Sequence, residues 1–204
     1  MFIQGTGFHD RSTMLLIPTR DVNGGNWNVF NSILSLAFPQ NAKQGHRIVG
    51  GNDVAPAYNQ LFHLAVESGL AYAMTVEDDM LPPPDAILQL QEVLETHPEY
   101  AAVSALYWTK GEKNWPLVLG HPEHPEDFTP RHAKGLVEVN AIPMGCALWR
   151  LGMFKELPGP WFEKQADCTQ DIGFARKAKA AGYRFAVDCS LRVGHLDTST
   201  GKVY

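Results

Sequence analysis

The chain has 204 residues, 45% of them apolar, which is enough for one domain with a substantial core. Its 17 Lys and Arg against 22 acids give a formal net charge of −5 with no basic run, which argues against general nucleic-acid binding. Cys146, Cys168 and Cys189 are odd in number and lack CxxC spacing, which disfavours a disulfide framework or a zinc site and fits a cytoplasmic protein; no apolar run reaches membrane-spanning or signal-peptide form.

Taken in order, Gly5-Thr6-Gly7 precedes the first strand and so fails the placement of a dinucleotide fingerprint. Thr13 to Pro18 reads as a strand that leaves the sheet through Pro18-Thr19-Arg20 and a Gly-rich loop, Asp21 to Asn26. Trp27, Phe30, Leu34 and Phe38 then repeat at helical spacing until Pro39. Arg47 to Gly50 is a short second strand. Asp53 is placed to cap a helix from about Pro56, with Ala57, Leu61, Leu64, Ala65 and Ser68 on one face and Gly69 at its end. Ala71 to Val76 is a buried strand, and it runs into three consecutive acids, Glu77, Asp78 and Asp79, ahead of Pro82-Pro83-Pro84. The prolines forbid continuation of strand or helix, so the acids fall at a strand's end, where open α/β sheets bind ligands. Adjacent carboxylates repel, and a hard divalent cation, Mg²⁺ or Mn²⁺, is their natural partner. A solvated acidic turn is the alternative.

A helix follows from near Pro84 on the stripe Ile87, Leu90 and Leu94, and Ala101 to Leu106 is a further strand. This β-α-β-α-β-α-β order predicts a mostly parallel sheet flanked by helices. From Trp108 to Lys134 periodicity vanishes; His121 and His124 there read as surface residues, since Pro122 breaks a helical pair. Val137 to Ile142 is strand-like. Pro143-Met144-Gly145-Cys146 leads into a core segment ending at Arg150. Leu157 to Phe162 is a turn with two aromatics, Trp161 and Phe162. Thr169 caps a helix bearing Asp171 in its first turn and closed by Gly182; a strand from Tyr183 to Asp188 and a late Val193-Gly194-His195-Leu196 complete the chain.

Val76-Glu77-Asp78-Asp79-Met80, followed by Pro-Pro and an amphipathic helix, resembles the metal-binding DxD region of GT-A-fold glycosyltransferases, especially the family 2 type. The likeness extends over roughly Thr13 to Leu196. It implies a single GT-A-like (nucleotide-diphospho-sugar transferase) α/β domain over residues 1–204, with a nucleotide-binding half at about 13–106 and an acceptor or catalytic half at about 107–204. It implies metal-dependent transfer of a sugar from a nucleotide-diphosphate sugar to a hydroxyl acceptor, with inversion, using Mn²⁺ or Mg²⁺. By that likeness Pro18, Thr19 and Arg20 approach the base or diphosphate, and Asp53 holds the base unless it is only a helix cap. Asp79 and His195 hold the metal, with Glu77 or Asp78 nearer the ribose or a metal-bound water. Gly145 and Cys146 lie beneath the donor sugar, or else form a turn into a core strand; Trp161 or Phe162 stacks on a sugar face, or else packs in the core. Asp171, in a Gln170-Asp171 pair where the family has Glu-Asp, takes the acceptor proton. Tyr58-Asn59 departs from the family's Arg-Asn pair and leaves the nucleotide undefined. A nucleotidyltransferase, or a non-catalytic carbohydrate- or nucleotide-sugar-binding module, would use some of the same residues.

Overall fold

The computed structural model describes residues 10–20, 26–51 and 53–204; the Gly5-Thr6-Gly7 segment and most of the Gly-rich loop lie outside them. The first strand, β1 (Thr13–Thr19), leads through helix α1 (Trp27–Leu34) to β2 (Gln44–Gly50), and α2 (Val54–Glu67) returns the chain to β3 (Tyr72–Val76). Next come β4 (Met80–Leu81), α3 (Ala86–Thr96) and β5 (Tyr100–Leu106). The second half holds β6 (Leu136–Val139), β7 (Cys146–Arg150), α4 (Leu151–Glu156), α5 (Gln170–Ala180), β8 (Arg184–Arg192) and β9 (Gly194–His195).

These strands form one seven-stranded sheet in the order β2-β1-β3-β7-β5-β8-β6 and a small two-stranded one, β4-β9. The expected GT-A-like domain with a mostly parallel sheet is not what forms. The sheet is mixed: β1 pairs β2 and β3 in parallel and β5 pairs β8 in parallel, while β7 runs antiparallel to both β3 and β5, and β6 antiparallel to β8. The reason lies in the second half of the chain. Helical crossovers give way after Leu106 to a long irregular connection into the edge strand β6, and β7, the next strand, crosses back to insert between β3 and β5. Runs of apolar residues announce the strands but not the direction in which a late strand enters.

Both sheet faces are covered, giving two cores. On one side Tyr58, Phe62, Trp149, Phe154, Phe162 and Phe174 interlock, with Phe62 and Phe154 stacked at 4.1 Å and Phe162 and Phe174 tilted against each other at 4.7 Å. On the other, Leu15, Met74 and Leu148 of the sheet pack with Ile87 and Leu90 of α3 and with Val29 and Ile33 of α1. The stripe expected for α1 is not its buried face. Val29 and Ile33, spaced i to i+4, are the buried pair, while Trp27 and Leu34 are 76% and 67% exposed. A hydroxyl bond from Ser32 to the Pro82 carbonyl (2.6 Å) orients the helix this way, and Phe38 lies beyond its end.

The loop after α4 is clipped to α2 by one side chain. Asn59 Oδ1 accepts from the Trp161 and Phe162 N–H groups (2.8 and 3.1 Å), and Nδ2 donates to the Phe162 carbonyl (2.6 Å) and to Ala55 in its own helix (3.1 Å). Asn59→Ala strips two partly buried N–H groups of their partner, and unsatisfied buried donors cost about 1–3 kcal/mol. Urea unfolding is expected to report that loss; Asn59→Asp, which keeps the acceptor, is expected to lose less.

Candidate functional site

The C-terminal ends of β1, β2 and β3 lie side by side because these strands are parallel and in register from Thr13, Gln44 and Tyr72. Beyond them opens a cleft of about 430 Å³. Its walls include Pro18, Thr19, Arg20, Asp53, Glu77 and Asp78, so six residues marked for donor binding share one cavity, joined from the far side by Lys164, Cys168, Thr169 and Gln170. Asp53 is also the N-cap of α2, its carboxylate accepting from the Ala55 N–H (3.3 Å).

The three acids behave differently because their surroundings differ. Asp78 Oδ2 accepts from the Thr19 hydroxyl (2.8 Å) and the Arg20 N–H (2.9 Å), which ties the end of β1 to the end of β3. Glu77 accepts from the buried Tyr58 hydroxyl (2.7 Å). Burial, together with the nearby charges of Asp79 and Asp171, outweighs that bond and pushes the Glu77 carboxyl up to about 7. Tyr58 thus holds an acid from the position where the resembling family carries arginine.

Asp79 is 4% exposed, and its two oxygens live in different worlds. Oδ2 faces the Lys110 ammonium (2.5 Å), the Arg20 guanidinium (3.3 Å) and His195 Nε2 (3.7 Å). Oδ1 is buried and has no hydrogen-bond partner among the described residues. Burial would raise this carboxyl; the His195 ring and Lys110 outweigh it and hold it below the usual carboxylate range.

His195 is brought here by backbone pairing. In the β4-β9 ladder Met80 pairs with His195 and Leu81 with Gly194, and the Leu196 N–H donates to the Asp79 carbonyl (2.8 Å). On the other side His195 exchanges two 3.0 Å bonds with Tyr204. Its Nδ1 lies 2.6 Å from the Trp108 carbonyl. A carbonyl only accepts, so Nδ1 carries hydrogen and Nε2 is the ring atom turned toward Asp79, the nitrogen a metal-ligating histidine would use.

Asp79 and His195 fit a divalent cation in their chemistry: a carboxylate with one oxygen unpartnered among the described residues and the other 3.7 Å from an imidazole nitrogen, a set that Mn²⁺ accepts. They do not form a complete cage. Among the described residues no group of three His, Cys, Asp or Glu side chains is arranged to hold a metal, so substrate oxygens would have to supply the remaining ligands. Asp171 sits in the first turn of α5, directly after the cleft residues Thr169 and Gln170. Its Oδ1 accepts from the Ile172 N–H (3.0 Å) and the Thr169 hydroxyl, and Oδ2 has no partner among the described residues. Thr169 occupies the N-cap position, but its hydroxyl serves Asp171 and not the helix backbone.

Three candidate residues are displaced from the site. Cys146 is fully buried in β7 opposite Val76, and burial drives its thiol up to about 12, so it cannot touch a sugar. Gly145 is a packing position: a Cβ there would lie 2.7 Å from Met80 Cε and from the Tyr107 hydroxyl oxygen, which itself receives the Gly145 N–H. Phe162, 1% exposed, belongs to the aromatic core. Trp161 is half-buried, edge-on to Phe154, with its indole N–H on the Leu157 carbonyl (2.9 Å). Lys110 was invisible to pattern reading: it lies in the aperiodic stretch after β5 and reaches Asp79 only because the chain there folds back on itself.

No family model matches the chain, and no curated protein matches its sequence. The fold is similar to that in the crystal structure of A197 from STIV, with a TM-score of 0.68 and 16% identity over 94% of this chain and 92% of that one. Identity that low speaks for the fold alone.

The raised Glu77 carboxyl has a consequence for stability. Between the ordinary carboxylate value of 4.5 and about 7 the folded chain holds a proton that the unfolded chain has released. Stability is therefore expected to fall as pH climbs through that window and to level off above it, whereas the depressed Asp79 carboxyl acts in the opposite direction only at lower pH. Glu77→Gln is expected to lack this decline, read from urea midpoints at about pH 5 and about pH 7.5 in metal-free buffer.

Proposed function

We propose that the chain transfers a sugar from a nucleotide-diphosphate sugar to an acceptor hydroxyl with the help of Mn²⁺ or Mg²⁺ held by Asp79 and His195. The observation that carries this reading is the buried Asp79 carboxylate, whose Oδ1 has no hydrogen-bond partner among the described residues and whose Oδ2 lies 3.7 Å from His195 Nε2, linked to the neighbouring cleft by Arg20. Arg20 bonds Asp78 through its backbone and Asp79 through its side chain, so it spans from the cleft to the metal-fitting pair. The likeness of Val76 to Met80 to family 2 glycosyltransferases supports the same reading.

In this scheme the cleft takes the nucleotide, with Thr19 and Arg20 along one wall and Asp53 at its edge. Asp78 has Oδ2 committed to Thr19 and Arg20 and keeps Oδ1 for a hydroxyl of the ribose or a bound water. When bound, the cation supplies charge stabilisation to the departing diphosphate. Asp171 removes the acceptor proton through Oδ2; its Oδ1 is anchored by Ile172 and Thr169, which fixes the carboxylate's orientation. A base acting once, in line with departure, inverts the anomeric centre. Trp161 remains as the aromatic contact for the acceptor sugar, Phe162 being withdrawn into the core.

Incubating the protein with a panel of sugar nucleotides, with and without Mn²⁺, tests the reading. Metal-dependent release of free nucleoside diphosphate from one donor is expected; no release from any donor contradicts it. Within the same assay Asp171→Asn is expected to bind Mn²⁺ and donor as the wild type does but to transfer roughly 10²–10⁴-fold more slowly, the usual cost of losing a general base. Turnover within a few-fold of wild type would leave Asp171 as a helix-start residue only.

A further inference from the structure

Lys110 has no place in the scheme above, yet it makes the shortest contact that Asp79 has. It is held there by a small hairpin built on the end of β5. Trp108 pairs with Pro116, the Thr109 N–H donates to the Trp115 carbonyl (2.8 Å), the Trp115 N–H returns to the Thr109 hydroxyl (2.9 Å), and the Leu117 N–H donates to the Tyr107 carbonyl (2.9 Å). Gly111 (φ +94°) and Asn114 (φ +41°) turn the exposed tip. The same hairpin supplies the Trp108 carbonyl that orients His195. One short element thus fixes the imidazole and delivers an ammonium to the same carboxylate.

The charge arithmetic around this carboxylate is unusual. Lys110 and Arg20 both place their charge on Oδ2 of Asp79, while Arg20 gives Asp78 only its backbone N–H, so two cations face one carboxylate oxygen before any ligand arrives. A divalent cation reaching Oδ1 meets a carboxylate already neutralised and two positive groups close by. A diphosphate removes that obstacle: it brings negative charge to the cation and gives the ammonium somewhere else to go. Lys110 is 27% exposed and its ammonium ends a flexible four-carbon stem, so it can change partners while the hairpin backbone stays in place.

We infer that Lys110 is a displaceable resident cation that makes metal and diphosphate binding mutually dependent, holding Asp79 when the site is empty and the donor's diphosphate when the metal is bound. This rests on the proposed function, because it presumes that Asp79 receives the metal. In the empty site Lys110 neutralises a buried acid that would otherwise be costly to keep. In the loaded site its ammonium adds to the positive charge that stabilises the departing diphosphate. No bond to carbon or phosphorus forms at Lys110; its contribution is the placement of charge.

The experiment compares wild type with Lys110→Met, which keeps the stem and removes the charge, and with Lys110→Arg, which keeps the charge. Mn²⁺ bound to the protein is measured by equilibrium dialysis, first with Mn²⁺ alone and then with inorganic pyrophosphate at the same concentration on both sides of the membrane. In wild type, pyrophosphate is expected to tighten Mn²⁺ binding by a factor within the roughly 5–150-fold typical of coupled sites. Lys110→Met is expected to bind Mn²⁺ alone more tightly than wild type and to lose most of the pyrophosphate enhancement, because the ammonium that opposes the lone cation is the one that holds the diphosphate. Lys110→Arg is expected to retain the wild-type enhancement. A lysine that merely supported the fold would weaken both measurements together, and that result, or equal Mn²⁺ binding in Lys110→Met and wild type, overturns the inference while leaving the metal site standing. Absence of Mn²⁺ binding in all three proteins with pyrophosphate present removes the proposed metal site, and this inference with it.

Discussion

The buried carboxylate of Asp79 sets the terms for everything around it. A charge at 4% exposure is tolerated only when paired, and here Lys110, Arg20 and His195 converge on one oxygen while the other has no partner among the described residues. Each of the three comes from a different part of the chain: the end of β1, the hairpin after β5 and the late strand β9. The ends of the first strand, the acidic strand and the last strand are thereby drawn to one point. The loss of Asp79 would strand two cations and an imidazole near one another, so this residue links stability to the site's chemistry.

The mixed sheet serves the same point. Parallel pairing of β1, β2 and β3 puts their C-terminal ends on one edge and opens the cleft there. Insertion of β7 between β3 and β5 places Gly145 directly beneath the acids: the Glu77 N–H donates to the Gly145 carbonyl (2.9 Å), and the Gly145 N–H donates to Tyr107. Tyr107 in turn lies edge-on to His195 at 5.5 Å. A close-packed glycine, a buried tyrosine and the imidazole thus form one continuous support under the carboxylates. The described helices include none long and apolar enough to cross a membrane.

Local signals exposed part of this arrangement. An apolar run followed by acids and prolines marks a strand end by chemistry that needs no tertiary context, and Asp53 and Thr169 stand at helix starts for the same kind of reason. Pattern failed where an outcome depends on what lies opposite. Trp27 and Leu34 fit a helical stripe as well as Val29 and Ile33 do, and only the docking of α1 through Ser32 decides between them. The direction of β7 is set by an irregular connection with no period to read. Phe162 and Cys146 are apolar residues beside promising motifs, and burial claimed both. Lys110 is 31 residues from Asp79 in a stretch without periodicity, so its role depends wholly on the hairpin.

The central claim is that Asp79 and His195 together ligate a divalent cation, the imidazole through Nε2. Electron spin-echo envelope modulation of Mn²⁺ bound to the protein with pyrophosphate reads this directly, because a coordinated imidazole nitrogen couples to the electron spin. The account requires a ¹⁴N coupling of directly bound imidazole in wild type, absent from His195→Gln. A bound Mn²⁺ whose spectrum shows phosphorus coupling but no coordinated nitrogen would contradict it.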